Sequence, residues 1–115
     1  MFWINVSNHE FNKEQQNAVG FYYTNWEFPN IPSDCTKEDV VKLVMKTIDD
    51  IEKHNLAMLQ GDRVYIHIMG EMVFVHNFVK LAPWRCHASV TERIVVEEKD
   101  GKKTSQFKFA GFREY

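Results

Sequence analysis

A chain of 115 residues, 44% hydrophobic and 26% charged, is long enough for one domain with its own core, and its sixteen aromatics argue against disorder. No apolar run reaches the length of a membrane span, and the start "MFWINVSNHE" lacks the basic stretch of a signal peptide, so a cytoplasmic protein with no membrane partner is expected. The net charge of −2 gives no reason to expect a long nucleic acid as partner.

That charge is unevenly spread. Residues 1–84 hold 7 basic and 11 acidic side chains, whereas residues 85–115 hold 7 basic and 5 acidic. The tail is either the place to meet an anion or a solvated hairpin rich in lysine. Cys35 and Cys86 stand far apart with no C-x-x-C pair, which suits a reduced chain with two small apolar residues.

Along the chain, "FWINV" is an apolar run of β-formers and reads as a buried first strand. "SNHEFN" breaks it, "KEQQNAV" suits a short helix ending at Gly20, and "FYYTNWEF" suits a short edge strand before the loop around Pro29 and Pro32. Thr36 and Asp39 form a capping box, followed by Val40, Leu43, Val44, Ile48 and Ile51 at helical spacing, which predicts a helix to about His54. "LQGD", Leu59 to Asp62, reads as a turn and "RVYIHI" as a central strand. After Gly70 a second amphipathic helix is predicted to bury Phe74, Val75, Phe78, Val79 and Ala82, with His76, Asn77 and Lys80 outward and Pro83 ending it.

"RCHASV" reads as a further strand, and "RIVVEEKDGKKTSQFKF" as a hairpin turning at Asp100-Gly101, with Gly111 placed to bulge its second strand. The order predicts a three-layer α/β fold, mostly parallel, closed by a C-terminal antiparallel hairpin over a single domain, residues 1–115.

In such sheets ligands bind beyond the C-terminal ends of the parallel strands. Three loops fall there: "SNHE", "GEM" and "SVTER". Ser7 and Asn8 either cap the following helix or contact a ligand. His9 is the best-placed proton carrier, and otherwise an exposed turn residue. Gly70 and Glu71 stand where a strand enters a helix, the geometry of a phosphate cradle, yet the acid would repel a phosphate and could simply complement the helix dipole. Ser89, Thr91 and Arg93 complete the set, Arg93 being shaped to fork onto a phosphate or else to pair within the hairpin. His67, His76 and His87 match no metal spacing, and His67 and His87 read as core positions inside neighbouring strands. No G-x-G-x-x-G, Walker loop or G-x-S-x-G is present. No cofactor and no metal is called for. Trp26, Phe28 and Trp84 could stack bases but suit a core or an interface equally.

The blocks "INVSNH", "HIMGEMVF", "ASVTER" and "GKKTSQFKFAGFREY" together resemble small Rossmann-like CRISPR-associated proteins of type III loci, related to cyclic-oligoadenylate ring nucleases. Val90 stands where those relatives carry a threonine, and Ala110-Gly111 replaces their valine-arginine. The resemblance implies an antiviral-defence protein: a homodimer that binds cyclic oligoadenylate, most simply cyclic tetra-adenylate, in a symmetric cleft. It further implies metal-independent attack of a ribose 2′-hydroxyl on the adjacent phosphorus, switching off the signal. His9 would be the acid/base and Glu71 the alternative base; Ser7, Asn8, Gly70, Ser89, Thr91 and Arg93 would hold the ligand. Two other readings stay open, a non-catalytic sponge or sensor for the same messenger and an interaction module with no nucleotide site.

Overall fold

The computed structural model describes residues 1–55 and 63–115; the turn expected at Leu59 to Asp62 lies outside them. In chain order the elements are β1 (Phe2–Val6), α1 (Lys13–Ala18), β2 (Tyr23–Trp26), α2 (Lys37–His54), β3 (Val64–Ile68), α3 (Met72–Leu81), β4 (Arg85–Glu97) and β5 (Lys103–Glu114). They build one five-stranded sheet of order β2-β1-β3-β4-β5, parallel except for the antiparallel β4–β5 pair. This is the mixed α/β architecture expected from the sequence. The order reverses between β1 and β3, so a crevice opens beyond the C-terminal ends of those two strands.

Alternate residues of the central strands face two cores. Phe2, Ile4, Val6, Ile66 and Ile68 meet Val44 and Ile51 of α2 and Phe74 and Phe78 of α3 on one side. On the other, Trp3 packs with Phe11, Val19, Tyr23, Tyr65 and Phe112. Helix α1 buries none of its own residues; Phe11 and Val19, which flank it, anchor it to the sheet. Trp26 and Trp84 pack half-buried against the first core, and Phe28 lies within it.

The caps of α2 and α1 are local in origin. Thr36 Oγ1 accepts from Asp39 N at 3.2 Å while Asp39 Oδ2 accepts from Thr36 N at 3.1 Å, the reciprocal box expected from the sequence. The cap of α1, however, is Asn12, paired in the same way with Gln15, and neither Ser7 nor Asn8 takes that place. In α3 the outward position expected for Asn77 is also corrected. Asn77 is buried, its Nδ2 donating to the Val73 carbonyl at 2.8 Å, one turn back.

The larger correction concerns "SVTER". No loop separates "RCHASV" from the hairpin: β4 runs through all 13 residues from Arg85 to Glu97. It pairs with β3 only over Arg85–His87 and thereafter with β5 alone, so the pair continues past the sheet as a two-stranded arm. The expected bulge is present, the register shifting between Val90 and Thr91, where Val90 pairs with Gly111 and Thr91 with Phe109. The arm turns at Gly101, whose N–H donates to the Glu98 carbonyl at 2.9 Å with φ at 82°. Because β4 is parallel to β1 and β3, the arm projects beyond the same edge at which the loops after those strands open.

Among the described residues no helix is long and apolar enough to cross a membrane. Cys35 and Cys86 are free thiols, half-buried and buried respectively.

Candidate functional site

Ser7, Asn8 and His9 follow directly from β1, and their backbone is fixed from two sides. The His9 N–H donates to Ser7 Oγ at 3.1 Å, and its carbonyl accepts from Asn5 Nδ2 at 2.9 Å. The imidazole is exposed and makes no hydrogen bond among the described residues. A pinned backbone under a free ring suits a group that must meet something arriving from solvent.

Two concavities adjoin this loop. One of about 360 Å³ is lined by Ser7, Asn8, His9, Glu10, Asn25, Trp26 and Glu27. The other, about 400 Å³, runs from Asn8 and Glu27 along Phe28, Pro29, Asn30 and Ile31 to Glu71. Asn8 and Glu27 are common to both. The lining holds three carboxylates, Glu10, Glu27 and Glu71, and neither lysine nor arginine. By itself it favours hydrogen-bond donors over phosphate.

Gly70 and Glu71 have local explanations. The helix N–H groups that would have cradled an anion are already engaged: Glu71 Oε1 accepts from Val73 N at 3.1 Å and Oε2 from Phe74 N at 2.7 Å. The carboxylate of α3's own N-cap therefore occupies the anion place at that terminus. Replacing Glu71 with alanine is expected to destabilise the free protein by about 1 kcal/mol, with Glu71→Asp retaining part of the cap. Urea melts without any ligand check this; an unchanged midpoint would show that the carboxylate is not working as a cap. Gly70 is set by packing, since a Cβ there would lie 2.4 Å from Cε2 of Phe28.

Ser89, Thr91 and Arg93 separate from this group. Arg93 stands four residues beyond Ser89 on the arm, about 13 Å further along the strand. Its Nε donates to Ser105 Oγ at 3.0 Å, and no carboxylate pairs with it among the described residues. Thr91 is exposed on the arm as well.

Ser89 instead belongs to a polar row whose inner members, His67 and Asn5, are buried. Gln15 Nε2 reaches Ser89 Oγ at 3.0 Å, Ser89 Oγ lies 2.7 Å from His67 Nε2, and His67 Nδ1 lies 2.8 Å from Asn5 Oδ1. Asn5 Nδ2 then contacts both the His9 carbonyl and Asn25 Oδ1, the latter at 3.0 Å. Asn5 is wholly buried and His67 is 3% exposed. His67 is held well below its ordinary pKa, at about 4, chiefly by burial and then by the neighbouring His87. The expected core place of His67 stands, but the sequence reading assigned nothing to Asn5 or Gln15. Among the described residues no three His, Cys, Asp or Glu side chains gather as a metal site requires.

A family model matches residues 1–113, from the first strand to the last. The chain belongs to the uncharacterized protein MJ1673 family. No curated protein and no solved structure matches it. The matched span takes in the loop after β1, the start of α3 and β5 as far as Arg113, so every candidate site residue lies inside it.

Proposed function

We propose that this chain binds a cyclic oligoadenylate, most simply cyclic tetra-adenylate, beyond the C-terminal edge of its parallel strands, and opens the ring without a metal. The observation that carries this reading is His9, an unengaged imidazole on a fixed backbone at the mouth of the crevice. The likeness of "INVSNH" and "HIMGEMVF" to ring-nuclease relatives points to the same edge.

The surroundings divide the ligand's needs. Adenine amino groups and ribose hydroxyls are donors, suited to Glu27, Asn8 and Ser7 in the two concavities. Phosphates need cations, which Arg93 on the projecting arm supplies from the same edge. A second copy of the chain, related by a two-fold axis, would present each of these groups twice to a symmetric ring. In the reaction the ribose 2′-oxygen bonds to the adjacent phosphorus, the 5′-oxygen leaves, and a 2′,3′-cyclic phosphate results. His9 takes the hydroxyl proton or returns one to the leaving oxygen.

One observation favours binding without turnover. Both oxygens of Glu71 serve α3, which leaves the reaction without its alternative base. Incubation with labelled cyclic tri-, tetra- and hexa-adenylate, with and without chelator, separates the readings. Chelator-resistant cleavage that falls about 100-fold or more in His9→Ala is expected. Intact ligand with a raised melting temperature would identify a sponge; no thermal shift with any ring size would overturn both.

A further inference from the structure

We propose that the row Gln15–Ser89–His67–Asn5 is the positioning device of the His9 loop, with His67 the residue that fixes its direction. The loop's role in catalysis rests on the function proposed above; the bracing of the loop does not.

The direction follows from donor and acceptor counts. Asn5 Nδ2 has two N–H groups, and the His9 carbonyl and Asn25 Oδ1 take both. Asn5 Oδ1 must therefore accept, so His67 Nδ1 carries the proton toward it. His67 Nε2 is then bare and accepts the Ser89 hydroxyl, whose lone pair receives Gln15 Nε2. The remaining Gln15 oxygen accepts from the Asn12 N–H at 2.9 Å. Flipping Asn5 would set its oxygen against the His9 carbonyl at 2.9 Å, and flipping Gln15 would set its amide N–H groups against the Asn12 N–H at 2.9 Å. The row has one consistent polarity, running from α1 through β4, β3 and β1 to the carbonyl that holds His9.

Serine, histidine and asparagine in this sequence also form the order of a nucleophilic triad. Here one serine lone pair is occupied by Gln15, and the imidazole packs beside the rings of Phe11 and Phe112, with centroids 5.2 and 5.5 Å away. A base only 3% exposed and packed among apolar rings supports a neighbour better than it activates an attack on a ligand. His67 is a positioning residue.

The test is NMR of the full chain. In the wild type, long-range ¹⁵N–¹H correlations should show His67 protonated at Nδ1 and bare at Nε2. Ser89→Ala removes the donor to Nε2, which should move the bare Nε2 resonance while Nδ1 keeps its proton, and leaves a buried acceptor unpaired so that the ring's hold on Asn5 Oδ1 loosens. Amide exchange at His9 should then rise about fivefold or more, without global unfolding. Ser89→Thr restores the hydroxyl and should restore both signals, a rescue that mere loss of packing would not produce. His67→Gln, which keeps a group near Ser89 but none at Nδ1, should release the His9 amide as well. Unchanged exchange at His9 in both Ser89→Ala and His67→Gln would overturn the brace. So would an Nε2-protonated ring in the wild type. If the loop responds but the wild-type chain leaves cyclic tetra-adenylate unbound and uncut, the functional reading fails and the brace stands. If it does cut, Ser89→Ala should lower kcat about tenfold with little change in KM.

Discussion

Replacing Gly70 with alanine is expected to destabilise the protein by about 1–3 kcal/mol, toward the upper end, although alanine is ordinarily welcome just before a helix. The reason is contact alone. The backbone at Gly70 is not left-handed, so any side chain could adopt it; but a Cβ would stand 2.4, 2.5 and 2.7 Å from three carbons of the Phe28 ring. That ring is rigid, 5% exposed and packed edge-on against Phe74 with centroids 4.9 Å apart, so it has nowhere inexpensive to go. A double-mutant cycle isolates the effect. Phe28→Leu alone should be destabilising, yet Gly70→Ala should cost less in its presence, with a coupling above about 0.5 kcal/mol. The measurement also distinguishes two reasons for a glycine between a strand and a helix. If Gly70 were there so that a phosphate could approach the backbone, alanine would weaken ligand binding and leave the urea midpoint alone.

The same residue shows how far a sequence can be read. "MGEM" announced the strand, the glycine and the helix start, since those depend on neighbours in sequence. It could not announce Phe28, which reaches Gly70 across the fold. The Thr36–Asp39 box, the turn at Asp100-Gly101 and the bulge beside Gly111 are legible for the same reason, each being marked by residues a few places apart. The "NKEQ" box at Asn12 was equally local and simply competed with Asn8.

The hairpin from Arg93 onward is legible, but "SVTER" at the base of the arm reads as a loop for a physical cause. A two-stranded ribbon beyond the sheet exposes both faces, so Thr91, Glu92 and Arg93 are exposed and read as the polar residues of a loop. Only its pairing with β5 makes it a strand. This alters the candidate site directly. Thr91 and Arg93 were expected to close in on His9, but they ride on the arm instead. The row behind His9 was hidden more deeply, because Asn5 and His67 are 62 residues apart and meet only through the register of β1 on β3.

Between pH 6.5 and about 4 the protein is expected to lose about 3 kcal/mol of stability through His67 alone. Burial and His87 bring the folded pKa from the ordinary 6.5 to about 4. The unfolded chain therefore takes up a proton across that window while the folded chain refuses it. Stability rises with pH wherever the unfolded state binds more protons, so this contribution is complete above pH 6.5 and falls away as the pH drops. The structural reason is the bare Nε2. A proton placed there would confront the Ser89 hydroxyl proton, force that hydroxyl to turn, and leave a buried cation beside Phe11 and Phe112 with no carboxylate against it among the described residues. Asp39, held below the ordinary carboxylate range by its hydrogen bonds from Thr36, stays ionised over most of the window and adds little to the slope. Urea melts from pH 7.5 to 4.5 measure the loss, and the same series in His67→Gln should be flatter by the full difference. NMR titration supplies the second reading, with His67 remaining neutral to well below pH 5. Equal slopes in the two proteins, or a His67 that titrates near 6.5, would show that the ring is not held bare and neutral as the row requires.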